Sequence, residues 1–204
     1  MNWLKQLSGT WQKNQLQRPE LVSMFDKPHA KQWVAIDCEM TGLNPKKHPL
    51  LSIAAIHIND NTIDTGNGMH LVCRPPVMPD RDTIVIHGLR TAAVEHGMSY
   101  DEILALLLPF MDNRPIVGFC TQLDIGFLNP VVKRYMGTTL PTQVIDVRHL
   151  YSRRMGDRTP GIPNQSQRLT NILAHYEIPD MGPHDAFNAS IMPAMVFFHL
   201  RPPF

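Results

Sequence analysis

The stretch Trp33-Val34-Ala35-Ile36-Asp37-Cys38-Glu39 decides how this chain is read. Four apolar residues run straight into two carboxylates at alternate positions, the pattern of a buried strand that ends in charge. Alternate side chains of a strand point to one face, roughly 7 Å apart. Asp37 and Glu39 would therefore stand side by side at the strand's end. Two like charges so placed repel unless a cation lies between them. A divalent ion is the fitting partner, because hard cations take carboxylate oxygens.

Outward from that stretch, Leu50 to Ile58 and Met69 to Cys73 give two more apolar runs. Asp60-Asn61 and Gly66-Asn67-Gly68 separate the runs as turn signals, so three neighbouring strands are expected. Ser99-Tyr100-Asp101-Glu102 carries a capping box and opens a helix reaching about Met111. Ile116-Val117 reads as a short strand, Ile125 to Tyr135 as a helix, and Val144-Ile145 as a strand ending at Asp146. The segment from Ser152 to Arg168, rich in Arg, Pro and Gly, reads as a mobile loop. Leu169 to Tyr176 and Asp185 to Leu200 are the last two helices, the second expected to be interrupted at Pro193. Strands together at first, then alternating with helices, indicate an α/β domain with a mixed sheet.

A chain of 204 residues suits one domain, here 31–204, preceded by a helical extension over 1–30. In that extension Trp3, Leu4, Leu7 and Trp11 fall at helical spacing. Such a helix would dock on the domain's own surface or serve as an arm for a protein partner. The apolar content of 43% belongs to a globular protein rather than a disordered one. A net charge of +1 excludes a strongly basic nucleic-acid coat. It leaves open a nucleic-acid enzyme whose positive field is local or carried by metal. Cys38, Cys73 and Cys120 are scattered without metal-ligand spacing and read as small hydrophobes in a reducing cytosol. The N-terminus shows no cleavable leader pattern. The longest apolar stretch, Ile103 to Phe110, is too short to span a bilayer. A soluble cytoplasmic protein with no membrane partner is expected.

Asp37-Cys38-Glu39-Met40-Thr41-Gly42-Leu43 resembles the first motif of the DEDDh 3′–5′ exonucleases. These are DnaQ-like relatives of the bacterial DNA polymerase III epsilon subunit, with a ribonuclease H-like fold. The second motif looks like Val117-Gly118-Phe119-Cys120-Thr121-Gln122-Leu123-Asp124, where only the apolar frame and Asp124 agree with the usual wording. The third resembles His184-Asp185-Ala186-Phe187. The likeness covers about residues 32–200 and implies a mixed five-stranded sheet flanked by helices. It also implies a metal-dependent exonuclease acting on single-stranded 3′ ends, DNA above all, and releasing nucleoside monophosphates. Such sites hold two Mg²⁺ or Mn²⁺ ions, about 3.5–4 Å apart.

By the same resemblance Asp37 would bridge the ions, Glu39 would hold the nucleophile-side ion, and Asp124 would serve the second. His184 would take the attacking water's proton, which suits an imidazole of unperturbed pKa near 6.5. Thr41, Gly42 and Leu43 would contact the terminal nucleotide. His87, in Ile86-His87-Gly88-Leu89, resembles a loop near the substrate. Plainer roles exist for each. Asp37 and Glu39 could be strand-edge charges, Asp124 a carboxylate favoured by a helix N-terminus, His184 a helix cap, and His87 structural. Asp146 could cap the next turn. Arg148, Arg153, Arg154, Arg158 and Arg168 could track phosphates or form a solvated loop.

One departure stands out. The family's fourth carboxylate lies five residues after the histidine, and here that position is Ala189. No acid follows Asp185, which on a helix points about 100° away from a neighbour. The resemblance makes the missing group a ligand of the nucleophile-side ion, so that ion is expected to be weakened and activity impaired. Two other readings stay open. One is a catalytically inactive nucleic-acid- or nucleotide-binding relative. The other is an oligoribonuclease-like RNA exonuclease, which the Asp-Cys-Glu-Met-Thr-Gly-Leu wording also resembles.

Overall fold

The computed structural model describes residues 11–80, 89–156, 167–182 and 185–201. A 3₁₀ turn over Pro19–Phe25 precedes strands β1 (Gln32–Met40), β2 (Leu50–Asn59) and β3 (Thr62–Val72). Helices α1 (Thr91–Glu95) and α2 (Tyr100–Met111) follow, then β4 (Ile116–Gly118), α3 (Thr121–Met136), β5 (Val144–Asp146) and α4 (Val147–Arg154). Helices α5 (Leu169–His175) and α6 (Ala186–Leu200) complete the order. The sheet is mixed, in the order β3-β2-β1-β4-β5. β1 is antiparallel to β2 and parallel to β4, which is parallel to β5. The ribonuclease H-like mixed five-stranded sheet flanked by helices is thus the fold of this chain.

The alternation along β1 sorts the helices onto two faces. Val34, Ile36 and Cys38 enter one core with Leu104, Leu107 and Leu108 of α2 and Leu128 and Val132 of α3. Trp33 and Ala35 enter the other, with Val147 and Tyr151 of α4 and Val196 and Phe197 of α6. Asp37 and Glu39 continue the second row beyond its apolar part. Opposite them β2 carries a bulge, because Glu39 pairs with Ser52 while Met40 pairs with Leu50. A bulge twists and bends a strand locally, here beside the two carboxylates.

Several expectations need correction. The Gly66-Asn67-Gly68 turn lies inside β3, absorbed where the β2–β3 register shifts between Ala55 and His57. Asn67 bonds back to the Asp64 carboxylate there, and the ring of Phe187 and the side chain of Ile56 occupy the space a side chain at Gly68 would need. The loop expected from Ser152 begins later, because α4 runs to Arg154 on the burial of Val147 and Tyr151. Residues 157–166 of that loop lie outside the described residues. α1 had no expected counterpart. Finally, Pro193 does not interrupt α6. Proline removes the bond to the carbonyl four residues back, that of Ala189, but Ala194, Val196, Phe197 and Leu200 beyond it are buried. Their packing outweighs about 3 kcal/mol of propensity.

The described part of the N-terminal extension lies against the domain. Leu21 and Met24 are buried in the first core, the Arg18 guanidinium sits 3.8 Å from the Tyr135 ring centroid, and Gln17 N–H donates to the Met136 carbonyl. Trp3, Leu4 and Leu7 lie outside the described residues. Among those described, no helix is long and apolar enough to cross a membrane.

Candidate active site

The open end of β1 makes the site. β4 pairs with β1 only at Val34 and Ala35 and ends at Gly118, after which the chain turns into α3. The β1 edge beyond Ile36 therefore lacks a strand on that side. The Asp124 carboxylate fills the place, accepting a hydrogen bond from the Cys38 backbone N–H. Parallel strands with a crevice at their carboxyl ends are the usual seat of ligand sites in such sheets.

A cleft of 390 Å³ results. One wall is Asp37, Glu39, Thr41, Gly42 and Leu43, and the other is Phe119, Cys120, Leu123 and Asp124. The structure thus gathers six of the eight expected site residues into one place. His87 and His184 lie outside the described residues.

The electrostatics set the two walls against each other. Asp37 as a whole is partly open, but its surroundings desolvate the carboxyl and push it up to about 8, and repulsion from Glu39 adds to this. Asp124 is buried, with 4% of its surface exposed. Burial raises its carboxyl well above the usual range, and repulsion from Asp37 and Asp146 raises it further, against the opposing Cys38 bond. A burial of that depth disfavours the reading of Asp124 as a plain helix-terminal charge, since a surface macrodipole contact is a solvated one.

An all-oxygen donor pair, desolvated and mutually repelling, fits a hard divalent cation. Among the described residues no three His, Cys, Asp or Glu side chains converge as a ready-made metal cage. Mg²⁺ in particular is held by one or two carboxylates together with substrate oxygens and waters, so two carboxylates satisfy that pattern.

Ala189 lies in the second turn of α6 and is half-buried. Phe187 packs on Gly68 and Ile56, toward β2 and β3. Ala189 is about 200° round the helix from it, so its side chain does not share the Phe187 contact with β2 and β3. Asp185 does not substitute. Its Oδ1 accepts from the Phe187 and Asn188 N–H groups and caps α6.

Two contributors escaped sequence reasoning. Cys120 begins α3 in the left-handed region, φ 55° and ψ 31°, which turns the chain sharply out of β4. Its N–H donates to Asp146 Oδ1 at 3.2 Å. Asp146 also accepts from Arg148 N–H at 2.9 Å, so it caps α4, as expected, and pins the entrance of α3 as well. The pairing of Gly118 with Asp146 in parallel strands brings the two together, and no sequence signal gives that register. Of the arginines, Arg148 opens α4, Arg153 and Arg154 close it, and Arg168 precedes α5. None of them lines the cleft, and Arg158 lies outside the described residues.

Comparison with known proteins gives a consistent pattern. The model of the RNase T exonuclease family matches residues 34–188. The DNA polymerase III epsilon subunit of Buchnera aphidicola is 28% identical over 101 residues, 47% of this chain and 41% of that protein. The Aquifex aeolicus epsilon subunit is 24% identical over 182 residues, 89% of this chain and 86% of that one. The chain thus spans less than half of the Buchnera relative. Among solved structures, E. coli Exonuclease I in complex with a dA16 oligonucleotide superposes with a TM-score of 0.68 at 17% identity, over 84% of this chain and 42% of that one. The nuclease domain of 3′hExo, a DEDDh family member bound to rAMP, superposes with a TM-score of 0.67 at 17% identity, over 85% and 93%.

Proposed function

Because the chain belongs to the RNase T exonuclease family, we propose that it is a metal-dependent 3′–5′ exonuclease acting on single-stranded DNA ends, with turnover held low by Ala189. The observation that carries this is the pairing of Asp37 and Asp124 across one cleft, both carboxyls raised by burial. Buried like charges persist where a cation relieves them. Asp37 and Asp124 would hold a Mg²⁺ or Mn²⁺ ion, and Glu39 a second, more weakly for want of an acid at 189. When bound, such ions activate a water and steady the leaving oxygen.

The chain's own residues do the rest. Thr41, Gly42 and Leu43 would seat the terminal nucleotide, with Leu43 offering an apolar face that is 76% exposed for a base to lie on. The Asp124 carboxylate is oriented by Cys38 N–H, so a substrate phosphate meets a fixed wall. His184, by its family position, would take the proton of the attacking water. Cys38, Cys73 and Cys120 are all free thiols, which suits a cytoplasmic setting. A protein partner at the N-terminal extension would use residues 1–10 and the exposed Trp11, since Leu21 and Met24 are already committed to the core.

The test is digestion of 3′-labelled single-stranded DNA and RNA of one sequence, side by side, in Mn²⁺ and in EDTA. Mononucleotide release from DNA, abolished by EDTA and by Asp124→Asn, is expected. Faster release from RNA would replace the DNA assignment with the oligoribonuclease-like one. No release from either, with a mononucleotide still bound, would make the protein an inactive relative.

A further inference from the structure

Thr41 stands in two cavities at once. It lines the catalytic cleft and also a larger one of 630 Å³. A third, of 400 Å³, shares Pro76 and Tyr100 with the second. The three therefore adjoin one another in turn, from the end of β1, across the loop after it, to the N-terminus of α2.

The cations along this run are placed by a stiff loop. Residues 41–49 connect β1 to β2 and close on themselves, Thr41 N–H donating to the Pro49 carbonyl at 3.2 Å. Lys47 and His48 N–H groups both donate to the Asn44 carbonyl, and Lys46 N–H donates to Asn44 Oδ1 at 3.0 Å. The His48 ring accepts from Asn44 N–H through Nδ1 and covers Gly42, where a Cβ would meet it at 2.8 Å. Gly42 and Leu43 thus face the cleft on one side of the loop, while Lys46, Lys47 and His48 face the second cavity on the other. Val77 and Met78, 78% and 40% exposed, supply apolar surface opposite the lysines. The third cavity brings Arg74 and Arg134. Two acids lie on the route. Asp80 borders the second cavity, and Asp101 in the third is paired with Arg134 at 3.3 Å.

We propose that these linked cavities are the track for the strand upstream of the 3′ end, with Lys46 and Lys47 taking its first phosphates and Val77 and Met78 packing on a base. This rests on the nucleic-acid-end reading of the cleft. Single strands are held by a positive groove that follows the backbone, with hydrophobic or aromatic surfaces for the bases. Here a net charge of only +1 for the whole chain is compatible with binding because four cations, Lys46, Lys47, Arg74 and Arg134, line this path against two acids, Asp80 and Asp101. A free mononucleotide would leave this path empty.

The experiment measures a labelled single-stranded DNA ten-mer by fluorescence anisotropy on the full chain in EDTA, where no turnover occurs. Lys46→Ala/Lys47→Ala keeps the loop's hydrogen bonds, since these use backbone N–H groups, and both side chains are exposed. The expected result is at least a tenfold loss of affinity, with the log–log salt slope shallower by about 1.4 for two phosphates. Arg153→Ala/Arg154→Ala, an equal charge change on α4 away from the track, should lose less than twofold. Affinity of the lysine variant within twofold of the parent, or an equal loss in the arginine variant, overturns the track. The cleft is read separately by calorimetry of dTMP with Mn²⁺. Failure of that binding beside a retained lysine-dependent oligomer affinity takes down the cleft reading and leaves the track standing.

Discussion

Replacing Asp37 with Asn should stabilise the metal-free protein, and the gain should grow with pH. The Asp37 carboxyl rises from 3.8 to about 8 on folding. Between those values the folded state holds a proton that the unfolded state has released, so stability falls as pH rises through that window. The slope is at most about 1.4 kcal/mol per pH unit for one group. Integrated to pH 7.5, this sets a ceiling of about 5 kcal/mol, which an uncharged Asn would recover. Asp37 borders an open cleft of 390 Å³, and water there lowers the penalty, so about 1–3 kcal/mol is the expected gain. Urea unfolding in EDTA at pH 5 and pH 8 measures it. The difference between Asp37→Asn and parent should be small at pH 5 and largest at pH 8. Mn²⁺ should reverse the order, stabilising the parent at pH 8 through mass action on the folded state and leaving the variant little changed. A variant less stable than the parent in EDTA, or a gap that does not move with pH, would refute the picture of a buried charge awaiting a cation.

Ala189→Asp should raise single-strand digestion at least tenfold, because loss of even an outer partner of a metal site commonly changes activity about 10–100-fold; an unchanged rate would show that the missing acid is not what limits turnover. In the parent, calorimetry should find Mn²⁺ bound at least tenfold more tightly with dTMP present than without, since phosphate oxygens complete a two-carboxylate site, and Ala189→Asp should shrink that ratio. Cys120→Asn should stabilise by about 0.5–1 kcal/mol in thermal unfolding, because asparagine tolerates the left-handed backbone that Cys120 holds at φ 55°. Ser52→Ala should add about 1 kcal/mol by the same assay, because Ser52 Oγ is fully buried with no hydrogen-bond partner among the described residues; destabilisation would mean that the hydroxyl serves Glu39, its cross-strand neighbour.

What the sequence disclosed depended on whether the deciding interaction was local. The capping box at Ser99 is entirely local, and both its bonds are present, Glu102 N–H to Ser99 Oγ and Ser99 N–H to Glu102 Oε2. The strand into Asp37 and Glu39 was legible because a four-residue apolar run, buried throughout, leads directly into the two alternate carboxylates within β1 itself. Helix α4 was not, since its surface arginines hide the burial of Val147 and Tyr151 against a helix more than thirty residues away. Pro193 and Gly68 were misjudged for the same reason. Local propensity argued for a break and a turn, and contacts with the sheet and with Phe187 overrode both.

The site repeats this division and gives the departure at Ala189 its weight. Asp37, Glu39 and Asp124 could be chosen by wording, but why Asp124 reaches β1 could not. That needs β4 to stop at Gly118, Cys120 to turn left-handed, and Asp146 to hold the Cys120 N–H. Of these devices, the left-handed backbone at Cys120 carries strain that a plain turn would not retain. A scaffold that had only lost its chemistry would be free to relax Asp37 to a neutral residue, which the arithmetic above predicts to be favourable without metal. The chain keeps both carboxylates where their burial is costly and lacks an acid at Ala189 on α6. Under the proposed function, metal binding that waits for substrate oxygens is the expected behaviour, and Mn²⁺ binding that is no tighter with dTMP than without it would refute it.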